Sequence, residues 1–526
     1  MMKVPSWIVA LALLTATLGS VVRADARTAP APVADLDEIV ARAMTTFAVP
    51  GLAIGIVKDG QVVFTKGYGV RQLGAADTVD PATIFAIGST TKAFTTAALS
   101  LLVDEGKIGW DDKVVDHLSG FQMYDPYVTR EFTIRDLVTH RSGLKSGAGD
   151  LMVFPDSGFT RAEIIESLPR LRPASSFRYR FAYNNVLYMV AGEVLAKVTG
   201  SSWEDFVQHR ILDRLGMTGC SVSGSKISPR GVAAGDVAAP HAMVDGKLSR
   251  VQPVDVSVIA AAGGIQCNVD GMMKWVSAQL GDEALISDKQ RQEMWTPQTL
   301  GSVSPLLTKL HGTHFRAYGL GWNLEDFHGY QRVFHSGGVL GMASQVMLIP
   351  ELRLGVVVLE NQQSSDAINA IMLHIAKAYV GTGQQDWVAM LGAAADQERA
   401  RVAAASVDIK KTLSAHERPP LQLVAYVGTY RDTWRGDAEI SLKGGALELK
   451  ISRSQRLRGS LEHYRGGVFI VRWRDRGLDS DLFVHFTMNS GGKIDGMTLE
   501  ALPTSSGALD FSDLDFKRID APPGSH

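Results

Sequence analysis

The chain is poor in the residues that staple small folds or gather metals. Its 526 residues include 2 cysteines, Cys220 and Cys267, and 13 scattered histidines with no His-Glu-x-x-His. That excludes a disulfide scaffold and a cysteine cluster, so neither a metal nor another cofactor is expected. Two buried free thiols are the plain expectation for the cysteines, although export would permit a bridge. An excess of one charge is also missing: 53 Lys and Arg face 55 Asp and Glu, a formal net charge of -2. This balance argues against nucleic acid or an anionic membrane surface as a partner. G-x-S-x-G is absent, which removes the nucleophile elbow of the α/β-hydrolases. After the first 26 residues no run is apolar enough to span a bilayer. The search therefore turns to a pocket for a small molecule or short peptide, in a chain whose 45% hydrophobic content can fill real cores.

The N-terminus has the layout of a secretory signal: Lys3, then "WIVALALLTATLGSVV", then Ala24-Asp25-Ala26 as a small-x-small cleavage site. Residues 1–26 are expected to be removed, leaving an exported periplasmic or secreted protein without a stable membrane anchor.

The length calls for two or three domains. "GLAIGIVKDGQVVFTKGYGVR" alternates around Asp59-Gly60 and predicts a hairpin. Residues 91–105 read as a helix, and about 110–300 as helices and loops. Strand character returns in "QRVFHSGGVLGMASQVMLIP" and "LRLGVVVLEN". The economical reading is an α/β domain over 33–385: an antiparallel sheet from both ends of the segment, flanked by helices, with an all-helical insertion to one side. An Ala- and charge-rich stretch over 386–420 reads as a helical linker, and short alternating runs over 421–520 as an all-β domain.

Ser-x-x-Lys occurs four times, as Ser89/Lys92, Ser142/Lys145, Ser223/Lys226 and Ser490/Lys493. Three sit in glycine-rich or loop-like text. The first lies in "FAIGSTTKAFTTAAL", where Gly88 permits a sharp turn and a helix follows. On a first helical turn, residues i and i+3 share a face, and the free N–H groups there favour developing negative charge. Those are the ingredients of an activated hydroxyl beside an oxyanion site. A lysine base must fall from about 10.4 to near 7, which takes roughly 4–5 kcal/mol of desolvation and charge effects. It needs partners, and the chain supplies Tyr183-Asn184-Asn185 ahead of a helix and His335-Ser336-Gly337-Gly338 in a strand. His140 in "THRSGL" reads as a structural residue that orients its loop, and Trp322 as core or pocket wall.

In these three motifs, in this order, the chain resembles the serine β-lactamase-like family, which includes class C β-lactamases, penicillin-binding proteins and D-aminopeptidases. "THRSGL", "ILDRLGMTG", "AAGGIQC" and "YGLGW" extend the likeness over roughly 33–385. The resemblance implies an acyl-enzyme on Ser89, with Lys92 and Tyr183 sharing the proton and the N–H groups of Ser89 and Gly338 forming the oxyanion hole. It makes Asn185, His335, Ser336 and Gly337 substrate-binding residues. Where lactamases carry Lys-Thr-Gly, this chain has His335, which suits a substrate carboxylate less well. That points to a peptidase or amidase for D-amino-acid peptides. An esterase or β-lactamase is the alternative, and a penicillin-binding sensor without turnover a further one. Lysine at 335 would be expected to raise turnover of carboxylate-bearing β-lactams. The C-terminal region resembles the lipocalin-like domain of some relatives, where it shapes the active-site entrance or drives homo-oligomerisation.

Overall fold

Asp59 and Gly60 both take positive φ, 51° and 76°, the backbone a two-residue hairpin turn demands. They join strands Gly51–Lys58 and Gln61–Gly69, which form one edge of an eight-stranded antiparallel sheet. Its order continues through Leu354–Glu360, Met342–Ile349, Tyr330–Val339, Asn323–Phe327, Arg316–Tyr318 and Thr299–Leu300. The computed structural model describes residues 31–222, 236–383, 385–415, 417–505 and 509–519. The expected signal, 1–26, and the Ser223/Lys226 pair lie outside the described residues.

The central strands are buried on both faces, so they read as nearly continuous apolar runs. Leu52, Ile54 and Ile56 pack on one side against helices Leu36–Phe47 and Asp366–Val380. Ala53, Val57, Val357 and Leu359 face the other side, where helices Thr91–Asp104 and Val269–Gln279 lie. Gly55 and Gly355 let the second of these sit close: a Cβ at Gly55 would come within 2.5 Å of the Met273 sulfur, and one at Gly355 within 2.1 Å of Val276. The helix that begins after Ser89 runs through this core, with every residue from Thr91 to Leu102 buried. The insertion, expected to be all-helical, also carries a hairpin, His241–Val244 with Lys247–Arg250, and the short pairing of Phe85–Ala86 with Gln266–Cys267.

The cysteines correct the sequence expectation. Cys220 and Cys267 form a disulfide. Ser221 and Gln266 exchange backbone hydrogen bonds at 2.9 and 3.0 Å, which sets the two cysteines side by side. This pairing joins segments 47 residues apart and leaves no trace in local pattern.

A 28-residue helix, Trp387–Ser414, leaves the core of the first domain at Trp387 and Val388 and reaches the C-terminal domain at Ile409, which packs on Ile470 and Leu502. That domain is a closed eight-stranded barrel of sequential antiparallel strands, closed by pairing of Gly428–Asp432 with Asp515–Ile519. Tyr426, Tyr430, Phe469 and Phe486 fill its interior with edge-to-face ring contacts. Ion pairs fasten it to the insertion: Arg456 to Asp156 at 3.0 Å, Arg476 to Asp245 at 2.8 Å and Lys145 to Asp510 at 2.7 Å. Among the described residues no helix is long and apolar enough to cross a membrane.

Candidate active site

Gly88 has φ 49° and opens a tight turn, Gly88–Thr90, that leads into the Thr91–Asp104 helix. The turn is anchored at Ile87, whose carbonyl accepts from Thr90 Oγ1 at 2.6 Å and Ser344 Oγ at 2.7 Å. Thr95 Oγ1 binds the Ala261 carbonyl at 2.6 Å, and the Ile265 amide donates to Thr91 Oγ1 at 3.2 Å. These bonds hold the 261–265 segment against the helix and aim the Ala262 carbonyl at Lys92.

Lys92 has no exposed surface. Its Nζ lies 3.1 Å from Ser89 Oγ, 2.8 Å from Asn185 Oδ1 and 2.9 Å from the Ala262 carbonyl. Burial lowers it to about 7, against the opposing pull of the Asp150 charge. An amide oxygen and a backbone carbonyl can only accept. The neutral amine has two N–H groups to give, and when they go to those two oxygens its lone pair faces Ser89 Oγ. The geometry thus orients a base toward the hydroxyl.

Tyr183 hydrogen-bonds through its hydroxyl to Ser89, and burial holds that hydroxyl well above its usual range. Its ring lies 4.7 Å from Lys92 Nζ. The two neighbouring amides divide the work. Asn184 Oδ1 accepts the Leu187 N–H at 2.9 Å at the start of helix Val186–Thr199, and its Nδ2 holds the Ala148 carbonyl at 2.9 Å. Asn185 faces Lys92. His140, at φ 55° and almost wholly buried, accepts the Asn184 N–H on Nδ1 at 3.1 Å. Its proton is therefore on Nε2, and it orients the Tyr183 loop.

Opposite the helix start runs the Tyr330–Val339 strand. A Cβ on Gly88 would fall 2.7 Å from the Gly338 nitrogen, so the backbones of Gly88 and Gly338 are in contact. Ser89 and Gly338 both line the same cavity. The rest of this strand differs from expectation. His335 is 2% exposed and does not line the cavity. Its Nδ1 donates to the Ser336 carbonyl at 2.7 Å, so Nε2 accepts the Tyr318 hydroxyl at 3.0 Å. Burial and the nearby Lys92 charge push it down to about 3, a fixed neutral ring. Gly337 is packed onto the nucleophile turn, where a Cβ would meet the Ile87 carbonyl at 1.9 Å. Alternation sends 335 and 337 inward and leaves Ser336 and Gly338 outward; of these four residues the cavity wall includes Gly338. His335 and Gly337 are thus buried on the face away from Gly338, whereas Ser336 is exposed on the same face as Gly338.

One residue escaped sequence reasoning. Asp150 opens a short turn after Gly149, lines the cavity, and accepts from Asn185 Nδ2 at 2.9 Å through Oδ2. Burial raises it to about 7, partly offset by the Asn185 bond and the Lys92 charge. A lone acid between glycines and the apolar "LMVF" is the faint sequence signal it left.

The cavity holds about 640 Å³. Leu151, Phe154, Val256 and Leu340 give it an apolar wall, and Leu478 and Leu509 of the barrel complete it, with Asp510 at the rim. Among the described residues no lysine, arginine or histidine lines it.

Known proteins fit this arrangement. Residues 36–378 match the family profile described as β-lactamase, and residues 413–518 match a domain of unknown function, DUF3471. Unguisins hydrolase ungD of Aspergillus violaceofuscus is 28% identical over 498 residues, 87% of this chain and 86% of that protein. Unguisins hydrolase ungD' of Aspergillus campestris is 30% identical over 359 residues, covering 65% of this chain and 64% of its own length. Protein flp of Staphylococcus aureus is 25% identical over 335 residues, 62% and 63% of the two chains. This chain thus matches just under two thirds of the length of those last two relatives. In fold it is similar to an octameric penicillin-binding protein homologue from Pyrococcus abyssi, with TM-score 0.60 and 23% identity over 92% of this chain and 100% of that one. SurE follows, with TM-score 0.53 and 18% identity over 92% and 99% of the two chains. With the β-lactamase profile covering most of its length, the chain belongs to the β-lactamase family of serine hydrolases.

Proposed function

We propose that the protein is an exported hydrolase that cleaves amides through an acyl-enzyme on Ser89, with peptides containing D-amino acids as its substrates. One observation carries the reading: a fully buried lysine whose amine lies 3.1 Å from a serine hydroxyl at the start of a helix, with its other two contacts made to oxygens that can only accept. Lys92 takes the Ser89 proton as Oγ adds to the substrate carbonyl carbon. Of the two candidate bases, Lys92 is brought down toward neutrality and Tyr183 is pushed up, so lysine is the base and tyrosine a proton donor to the leaving amine. The negative charge that forms on the carbonyl oxygen is met by the Ser89 and Gly338 N–H groups. Collapse breaks the C–N bond, and the amine leaves with a proton from the Tyr183 hydroxyl, which Lys92 restores through a water molecule. Water then adds to the acyl-enzyme, gives its proton to Lys92, and the acid leaves as Ser89 recovers its hydrogen. Asn185 keeps one Nδ2 hydrogen free of Asp150 for the substrate amide. Export rests on the N-terminal sequence.

A neutral His335 and a cavity wall that, among the described residues, carries no cation give no grip on the carboxylate of a penicillin. The apolar wall supports a second reading, an esterase. The test is a panel of D- and L-amino-acid anilides, p-nitrophenyl esters and a chromogenic cephalosporin, run on the purified mature protein. Turnover of D-anilides supports the amidase reading, and ester turnover without any anilide turnover replaces it. Ser89→Ala must abolish every activity in a folded protein; retained turnover ends the assignment.

A further inference from the structure

The hydrogen bonds around Lys92 do not stop at Asn185. They run from Ser89 Oγ to Lys92 Nζ, from Nζ to Asn185 Oδ1, and from Asn185 Nδ2 to Asp150 Oδ2, at 3.1, 2.8 and 2.9 Å. We propose that Asp150 is a positioning residue of this site: its carboxylate fixes the Asn185 amide and supplies the counter-charge for the ammonium that Lys92 becomes when it takes the serine proton. The inference rests on the acyl-enzyme reading of Ser89 and goes beyond it.

The orientation of Asn185 follows from its two neighbours. An ammonium can only donate and a carboxylate can only accept, so the amide oxygen must face Lys92 and the amide nitrogen Asp150. The loop that carries Asp150 is strapped to the Tyr183 loop, with the Gly147 amide on the Tyr183 carbonyl at 2.8 Å and Asn184 Nδ2 on the Ala148 carbonyl at 2.9 Å. The spacing between the two charged groups, one amide wide, is therefore built into the fold. The second carboxylate oxygen, Oδ1, is shut from solvent and has no hydrogen-bond partner. A carboxylate held with one bond in such a place is costly unless a nearby cation compensates it, and Lys92 is the cation whose charge acts on it. The reverse also holds, because the Asp150 charge opposes the burial of Lys92.

Other groups face this pair. Tyr183 and Tyr188 place their rings 4.7 and 5.2 Å from Lys92 Nζ. His140 and His335 stand behind them and feel the lysine charge, but both are held neutral by burial. Asp510 lies at the cavity rim, paired with Lys145. None of these can offset an ammonium at Lys92 as Asp150 does: the tyrosines are neutral, the histidines cannot carry negative charge, and Asp510 is already matched.

The pH profile of kcat/KM separates this role from a merely structural one. With p-nitrophenyl butyrate as probe, the native enzyme should show an acidic limb where Lys92 loses its proton. Asp150→Asn keeps the shape and removes the charge, so the ammonium is harder to hold. The limb should move down by about one to two pH units, as expected for losing an opposite charge at this spacing, and plateau kcat should fall at least tenfold. Asp150→Glu keeps the charge and should leave the limb in its native position with a smaller loss of kcat. Circular dichroism confirms that each variant is folded. A limb that stays in place in Asp150→Asn, or that moves equally in Asp150→Glu, overturns the inference. Ser89→Ala run alongside separates the two levels. If it is inactive while the Asp150 limb does not move, the inference fails alone; if it is active, the acyl-enzyme reading fails and takes the inference with it.

Discussion

Replacing Lys92 by methionine should abolish activity and at the same time make the fold more tolerant of neutral pH. The burial of Lys92 lowers its ammonium from 10.5 to about 7. At about 1.36 kcal/mol per unit, that is a penalty of about 4–5 kcal/mol on the charged form. The folded value lies below the unfolded one, so between pH 7 and 10.5 the unfolded chain binds the extra proton, and stability rises with pH across that window. Evaluated at the two ends, the lysine costs the fold about 4 kcal/mol at pH 7 and under about 1 kcal/mol at pH 10. Methionine fills a similar volume and removes this titration. It also strips a partner from Asn185 Oδ1 and the Ala262 carbonyl, a loss of about 1–3 kcal/mol each that is the same at both pH values. Asp150, no longer lowered by the lysine charge, titrates higher in the variant. An acid raised in the folded state loses stability as pH rises, so this shifts the comparison the same way. Relative to the native protein, Lys92→Met should therefore be better by about 3–4 kcal/mol at pH 7 than at pH 10. Urea midpoints at the two pH values, with unchanged m, give the difference directly. A variant whose ΔΔG is the same at pH 7 and pH 10 would refute the claim that Lys92 is buried near neutrality, and with it the case for lysine as the base.

Further outcomes follow from the same contacts. The pH profile of ester hydrolysis in the native protein should rise near pH 7 with Lys92 and show no limb from His335, which is held at about 3; a limb near 6.5 that disappears in His335→Gln would contradict this. Lysine at 335, which the sequence alone would favour for β-lactams, should instead destabilise by about 3–5 kcal/mol and gain no cephalosporin turnover, because it would bury a second ammonium behind Lys92; thermal melts and nitrocefin rates check both halves. Removing the disulfide with Cys220→Ala and Cys267→Ala frees a closure spanning 47 residues, worth up to about 4 kcal/mol in the chain-entropy account; identical urea midpoints with and without reductant would exclude the bridge. Lys145→Ala should change stability by less than about 1 kcal/mol, since its pairs with Asp510 and Asp513 are part-exposed. It should nevertheless erode the preference between acetyl and octanoyl p-nitrophenyl esters, because the loop bearing Leu509 loses its hold on the cavity; an unchanged ratio of kcat/KM values would show that the loop needs no such anchor.

Much of the fold could be read from local pattern. The hairpin at Asp59-Gly60, the helix after Ser89 and the alternating runs of the barrel announce themselves through turn chemistry and period. What could not be read depends on which face of a strand or loop meets which neighbour. Alternation places His335 and Gly337 on one side of their strand, but a sheet covered on both faces gives no sign of which side meets substrate. The disulfide depends on the bridge between Ser221 and Gln266, and Asp150 on the strap between Gly147 and Tyr183. These are tertiary hydrogen bonds between segments with no shared pattern. Asn184 and Asn185 show the same limit at closer range. Adjacent and chemically identical, they differ because the helix start claims the first side chain and leaves the second to Lys92.

The repeated Ser-x-x-Lys spacing makes the physical point sharpest. At Ser142/Lys145 the hydroxyl accepts the Leu144 N–H at 3.2 Å, and the lysine reaches away to Asp510 and Asp513 of the barrel. Burial alone would lower that ammonium, but the bonds to the two carboxylates outweigh it and hold it above its usual value. Ser490/Lys493 lies in an exposed turn, its lysine amide held by Asn489 Oδ1. At Ser89/Lys92 the same spacing is wound into a helix whose surroundings exclude water and offer two oxygens that can only accept. Lys92 and Lys145 are thus driven in opposite directions by what surrounds them, one toward a base and one toward a permanent cation. A motif of two residues acquires its chemistry from the dielectric and the acceptors that the rest of the chain brings to it.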